Sequence, residues 1–201
     1  RRIDELRRAQ LSGDWQVIQP VPIGRSRVGL LGFGHMGQAA SNALVNLGFN
    51  VTGWTRTPRS AGSLTSYHGS EGFPEVLQTS DILICLLPLT PKTHGLLNAK
   101  AFAALPAEAY VINVARGAHL VDEDLLAAID NGHLSGAWLD VFDEEPLPPD
   151  HSFWAHPQIV MTPHLAALTV ASSAATQVIN NLRLVRTGKP PQNLVNPEIG
   201  Y

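Results

Sequence analysis

Val28-Gly29-Leu30-Leu31-Gly32-Phe33-Gly34-His35-Met36-Gly37 decides how the rest of the chain is read. The apolar run 28–31 ends in a G-x-G-x-x-G turn, and the spacing over 36–47 has the period of a helix. In such a turn the first glycine makes the bend, the second lets the backbone approach a pyrophosphate, and the third lets helix and strand pack closely. The helix that follows presents its positive end to the phosphates. Glycines at a strand-to-helix turn can also be purely steric, so the pattern gains meaning only from its surroundings.

Outward from that turn, apolar runs alternate with helical patterns: a strand over 50–54, a helix over 73–78, strands over 81–87 and 110–114, and between these two a helix over 99–105. Asp122 is expected to cap a helix whose first turn holds Glu123 and Asp124, with Asn131-Gly132 as the stop. Strands over 137–142 and 159–162 follow, and a final helix over 168–186 closes at Gly188, Pro190 and Pro191. Strands buried on both faces read as continuous apolar runs, and intervening helices make parallel pairing the natural connection. The expected fold is a doubly wound parallel α/β sheet, a Rossmann-type NAD(P)-binding domain. Pro20, Pro22 and Gly24 make residues 16–27 a linker. The expected division is 1–23 as the end of another domain plus linker, 24–187 as the nucleotide-binding domain, and 188–201 as a tail.

In the NAD version of the turn, an acid about 20 positions on accepts bonds from the ribose hydroxyls. Here the second strand runs into Trp54-Thr55-Arg56-Thr57-Pro58-Arg59-Ser60, which holds no carboxylate. Arg56 and Arg59 suit a 2′-phosphate, and the Thr57 and Ser60 hydroxyls can complete its pocket. NADP(H) is therefore expected, with NAD possible but weaker; the bland alternative is a solvated basic turn. His35, Met36 and Trp54 join Gly32, Gly34 and Gly37 as expected cofactor contacts.

Open α/β sheets bind ligands beyond the carboxyl ends of their strands. Three charged side chains fall there: Arg116 in Asn113-Val114-Ala115-Arg116-Gly117, Glu145 in Phe142-Asp143-Glu144-Glu145-Pro146, and His164 in Thr162-Pro163-His164. Reduction of a 2-keto acid needs a cation for the carboxylate, a proton donor for the carbonyl oxygen, and a hydride. Arg116 offers a bidentate fork, and His164 can give the proton with Glu145 beside it to hold and charge the ring. Singly, each could be an ordinary surface residue; their joint placement at successive strand ends is what points to chemistry.

At these motifs the chain resembles the D-isomer-specific 2-hydroxyacid dehydrogenases, most closely the glyoxylate/hydroxypyruvate reductase A branch with its arginine-type cofactor turn. The resemblance implies that Arg116, Glu145 and His164 are that family's catalytic arginine, glutamate and histidine. It also implies that the 87–94 loop touches the nicotinamide half of the cofactor, with Leu87, Pro88 and Thr93 as contacts. Val114 and Ala115 are expected in the same trough, Ala166 just past His164, and Asp140 behind the nicotinamide and Arg116. The family carries a second, substrate domain, of which residues 1–15 resemble only the last helix. The 201 residues are accordingly expected to hold NADPH but turn substrate over poorly alone. The same resemblance includes corepressors, so a nucleotide-binding regulatory module is the alternative. Methyl transfer from S-adenosylmethionine, which also uses a glycine turn, normally needs an acid where Arg56 stands.

Composition narrows the partners. Lys plus Arg total 14 against 17 Asp plus Glu, a net charge of −3, so no basic field exists for nucleic acid or an anionic membrane. Hydrophobic residues make up 44% and charged residues only 15%, which suggests extensive burial or a subunit interface, and a homodimer is expected. The single cysteine, Cys85, lies in an apolar run, consistent with a reducing cytoplasmic setting. His151 and His156, flanking Trp154 on a Pro-rich loop, lack the spacing of zinc ligands, so no metal is expected. Trp154 could wall a substrate pocket, though a loop aromatic more often packs.

Overall fold

The structure, a computed structural model, describes residues 3–19, 21–58 and 65–195. Among them seven strands form one sheet: β1 (Arg27–Leu31), β2 (Asn50–Thr55), β3 (Thr65–His68), β4 (Ile82–Cys85), β5 (Ala109–Asn113), β6 (Leu134–Leu139) and β7 (Ile159–Met161). The order is β3-β2-β1-β4-β5-β6-β7, and each neighbouring pair is parallel. The helices are α1 (Ile3–Ser12), α2 (His35–Asn46), α3 (Gly69–Gln78), α4 (Ala99–Ala104), α5 (Asp122–Asp130) and α6 (Ala171–Arg186). The chain runs outward from β1 through β2 to β3, then returns to the other side of β1 with β4. This reversal opens a crevice between the ends of β1 and β4, where doubly wound sheets take their ligands.

Alternation along the strands divides the core. Leu83 and Cys85 of β4 face a large cluster with Val76, Leu77, Phe102, Leu125 and Ile129 from α3, α4 and α5. Val28 and Leu30 of β1 face a smaller one with Phe33 and Val51, flanked by Leu44 of α2. Beyond the reach of α2 the second face thins out, and Trp138 of β6 stays 42% exposed.

Several element bounds differ from those expected. β6 begins at Leu134 rather than 137: Leu134 is fully buried, and a register shift at Ala109/Tyr110 lets the chain pair past Gly136. Gly136 has φ +150°, and a Cβ there would meet the Gln158 carbonyl at 2.4 Å, so only glycine fits. β6 ends at Leu139 rather than 142 because the Phe142 amide turns to the Glu145 carboxylate instead of continuing the ladder. β4 spans Ile82–Cys85, shorter than the run 81–87, although the Asp81 and Leu86 amides still donate to the Arg27 and Leu31 carbonyls of β1. Asp122 is not a cap. Val121 occupies that position, and the Asp122 carboxylate lies 3.2 Å from the His151 ring. α3 starts at Gly69, ahead of the expected 73, and α6 at Ala171, behind the expected 168. β3 was not legible in Thr-Ser-Tyr-His, a short polar edge strand without alternation.

Candidate active site

The glycine turn closes the end of β1. Gly32 has φ +101°, and a Cβ there would sit 2.8 Å from the Leu86 carbonyl, which keeps the β1 and β4 ends in contact. A Cβ on Gly37 would lie 2.1 Å from the Gly32 carbonyl, so this glycine lets α2 enter directly over the turn. Gly34 differs, with nothing within 4 Å of its Cβ position and no side chain capping the N-terminus of α2. His35 and Met36 are exposed at this mouth. The chain thus offers an open backbone approach, where a pyrophosphate fits, between two glycines that are sterically required.

Arg56 is exposed just past β2, whose Trp54 pairs with Leu31 at the base of the glycine turn, so the two loops leave the sheet side by side. Arg59 and Ser60 lie outside the described residues. Trp54, an expected contact, sits at the end of β2 beside the glycine turn. Its side chain is in the core, its indole N–H donates to the Gly69 carbonyl at 2.8 Å, and its ring meets Phe73 edge-on. On the loop after β4, Leu87 is buried and Pro88 half-buried. The Thr93 hydroxyl is spent inside that loop, donating to the Pro88 carbonyl at 2.8 Å and accepting from the Thr90 amide at 2.8 Å. These bonds shape the loop on which the expected contact stands.

Beyond β5, Val114 is half-buried, Ala115 is buried and Arg116 is exposed. One N–H of the Arg116 fork donates to the Ala115 carbonyl at 2.6 Å. The bend is set by Asn113, fully buried, whose carboxamide donates to the Arg116 carbonyl (2.9 Å) and accepts from the Ala115 amide (3.1 Å). Gly117 follows where a Cβ would overlap the Phe142 carbonyl carbon at 1.8 Å, so the Arg116 loop and the loop after β6 cross in contact. Asn113 and Gly117 were not singled out from the sequence, although an Asn at a strand end with a glycine four positions on was the available signal.

Glu145 and His164, 19 positions apart in the chain, come together: the ring Nδ1 lies 2.7 Å from Glu145 Oε2. Glu145 Oε1 accepts from the Phe142 amide at 2.9 Å, so both oxygens are engaged. The His164 hydrogen bond first, then the Phe142 amide, hold this carboxyl below its ordinary range against the opposing effect of burial. The charges of His164 and Arg116 add to the lowering, which places Arg116 within electrostatic reach of the pair. His164 itself has φ +54°, a left-handed conformation that histidine adopts more readily than most residues.

Asp140 explains how that conformation is held. It is 2% exposed, and its oxygens accept from the Thr162 hydroxyl and from the amides of Leu165 and Ala166, each amide at 2.9 Å. Its own carbonyl accepts from the His164 amide at 2.8 Å. Burial works to raise its pKa, but these donors and the His164 charge outweigh it and hold the group below the usual carboxylate value. Asp140 is therefore buried beneath the His164 loop, and Ala166, exposed, is fixed to it through its backbone. Trp154 donates its indole N–H to the Pro148 carbonyl at 2.8 Å, which ties it to its own loop. Among the described residues no group of three metal-ligating side chains occurs, and no helix is long and apolar enough to cross a membrane.

Comparison with known proteins bears on this arrangement. The family model for the NAD binding domain of D-isomer specific 2-hydroxyacid dehydrogenases matches residues 1–166. The chain is 44% identical over all 201 residues to a glyoxylate/hydroxypyruvate reductase A of Yersinia enterocolitica and 41% identical to one of Serratia proteamaculans. It spans 64% of the length of each. A D-isomer specific 2-hydroxyacid dehydrogenase of Xanthobacter autotrophicus Py2, solved with NADPH and MES, superposes with a TM-score of 0.96 at 43% identity, covering 100% of this chain and 83% of that one. An NADPH-dependent glyoxylate/hydroxypyruvate reductase of Sinorhizobium meliloti, solved with NADP and sulfate, gives 0.95 at 33% identity, covering 99% and 64%.

Proposed function

The chain belongs to the D-isomer specific 2-hydroxyacid dehydrogenase family, and on that premise we propose that it binds NADPH and reduces small 2-keto acids of the glyoxylate/hydroxypyruvate type to (R)-2-hydroxy acids. The observation that carries the reading is the 2.7 Å contact between His164 Nδ1 and Glu145 Oε2 at the carboxyl edge of the sheet, where the Arg116 charge adds to holding the Glu145 carboxyl low. Glu145 occupies one ring nitrogen and leaves Nε2 as the nitrogen that carries a proton to the substrate carbonyl oxygen. Arg116 takes the substrate carboxylate with its fork, and the His164 loop stays in place through Asp140.

The coenzyme site is read from the open approach at Gly34, the uncapped start of α2 and the exposed Arg56. A nicotinamide coenzyme, when bound, supplies the hydride. Arg56 and Arg59 hold the 2′-phosphate, so NADPH is preferred over NADH. The Xanthobacter and Sinorhizobium structures, solved with NADPH and NADP, support that choice. The same reading takes the working molecule as a cytoplasmic homodimer, to be checked by sedimentation and cell fractionation.

The test is calorimetric titration with NADPH and NADH, followed by single-turnover oxidation of bound NADPH on mixing with glyoxylate or hydroxypyruvate. Arg56→Ala is expected to weaken NADPH by roughly tenfold or more and leave NADH nearly unchanged, the loss of a charge-assisted bond. His164→Ala is expected to slow the turnover by about 10²–10⁴ with little change in coenzyme affinity. No NADPH binding, or a His164→Ala rate equal to that of the unaltered chain, defeats the proposal.

A further inference from the structure

His119 is fully buried in the short turn after Arg116, yet it belongs to none of the roles described above. Its two ring nitrogens point to carbonyl oxygens on two different loops. Nδ1 lies 3.0 Å from the Arg116 carbonyl and Nε2 lies 3.3 Å from the Pro88 carbonyl. A carbonyl only accepts, so each bond needs a hydrogen on its own ring nitrogen: a neutral ring serves one of the two carbonyls at a time, and both bonds together require a hydrogen on both nitrogens. The backbone repeats the connection, with the Leu97 amide donating to the His119 carbonyl and the Gly95 amide to the Ala118 carbonyl, both at 2.8 Å. A buried side chain joining the loop after β5 to the loop after β4 cannot move without disturbing both.

Resting on the reading that Arg116 holds the substrate carboxylate and the 87–94 loop faces the nicotinamide, we propose that His119 is a positioning residue that latches these loops in one register. Nδ1 holds the Arg116 main chain, and with it the direction of the guanidinium. Nε2 holds the Pro88 main chain, and with it the wall beside the coenzyme. Each carbonyl has further support, and the Arg116 carbonyl also accepts from the His119 amide itself at 3.2 Å. Asn113 also donates to the Arg116 carbonyl at 2.9 Å, and Thr93 to the Pro88 carbonyl at 2.8 Å. Losing one arm of the latch therefore loosens one loop without collapsing it.

The two arms can be cut separately. An asparagine carboxamide reaches about as far as Nδ1, so His119→Asn keeps the bond to Arg116 and drops the one to Pro88. A glutamine carboxamide reaches about as far as Nε2, so His119→Gln does the reverse, and His119→Leu drops both. His119→Asn is expected to weaken NADPH binding by about 3- to 10-fold while the half-saturating glyoxylate concentration stays near its original value, and His119→Gln is expected to show the opposite split. His119→Leu combines both losses. Hydrogen–deuterium exchange supplies a readout that needs no turnover: amides in 88–95 open faster in His119→Asn, and those in 116–120 faster in His119→Gln. Failure of the unaltered chain to bind NADPH counts against the proposed function, while the exchange pattern still tests the latch. The proposal is overturned if Asn and Gln give the same pattern as each other, whether both resemble the unaltered protein or both lose stability and binding alike.

Discussion

At the residue scale, Asp140 is the group on which most of the site depends. It fixes Thr162, Leu165 and Ala166 through its carboxylate and His164 through its carbonyl. Left-handed backbone at a non-glycine residue costs on the order of 1–3 kcal/mol, and here the surrounding bonds hold His164 in it. Asp140→Asn sets an amide N–H against donors, leaving a buried donor unmatched, and should cost about 1–3 kcal/mol in urea unfolding at neutral pH. The pH dependence follows from the direction of the shifts. Asp140 and Glu145 are both held below their ordinary values in the folded state, so their contribution to stability is full above the unfolded carboxylate range near 4. It is lost as pH falls through the lowered folded values. Unfolding curves between about pH 6 and pH 3 should therefore lose stability less steeply in Asp140→Asn and Glu145→Gln than in the unaltered chain. Equal slopes would remove both carboxylates from the acid response.

At the element scale, the turn between β1 and α2 separates steric glycines from an open one. Gly37→Ala puts a methyl on the Gly32 carbonyl and forces α2 off the strand, so it should cost about 1–3 kcal/mol or prevent folding. Gly34→Ala has open space around it and φ −76°, so its stability should stay within about 0.5 kcal/mol of the original. Under the proposed function that methyl meets the pyrophosphate, and NADPH affinity should fall at least tenfold by calorimetry despite the intact fold. Unchanged affinity in Gly34→Ala would place the phosphates elsewhere. The strand ends follow the same logic: past Leu139 the Asp140 amide still reaches the Asn113 carbonyl of β5, but the Asp140 carboxylate turns to Thr162 and the Phe142 amide to Glu145.

On the scale of the whole molecule, burial is uneven. Leu83 is fully buried in the larger cluster, whereas Leu182 of α6 is 55% exposed and no residue of that helix is buried. Leu83→Ala should cost about 2–5 kcal/mol, and Leu182→Ser should stay within about 0.5 kcal/mol, both by thermal or urea unfolding. Cys85, buried in the same cluster, has its thiol pushed up to about 12 by burial, against the weaker pull of the Leu87 backbone. The thiolate is the reactive form, so a thiol reagent should modify Cys85 at mildly alkaline pH only as fast as the core opens. Modification far faster than unfolding would show that β4 is more accessible than its packing indicates.

The sequence by itself determined the alternation of strand and helix, the glycine turn, the absence of an acid after β2 and the appearance of Arg116, Glu145 and His164 just beyond successive strands. These are local signals, carried by period, by glycine spacing and by residue type within one short segment. The tertiary structure decided what the local signals could not carry. It placed Glu145 Oε2 against His164 Nδ1, put Asp140 beneath the His164 loop, took Trp54 and Thr93 into packing and loop closure, and aimed the two nitrogens of His119 at two loops. Apart from the Thr93 loop closure and the contact of His119 with Arg116, which are local, these partnerships join segments brought together by neighbouring parallel strands that end at the same edge. No residue near His119 in the chain announces Pro88 as its partner. The register between β4 and β5, set by packing over the whole sheet, brings them within 3.3 Å.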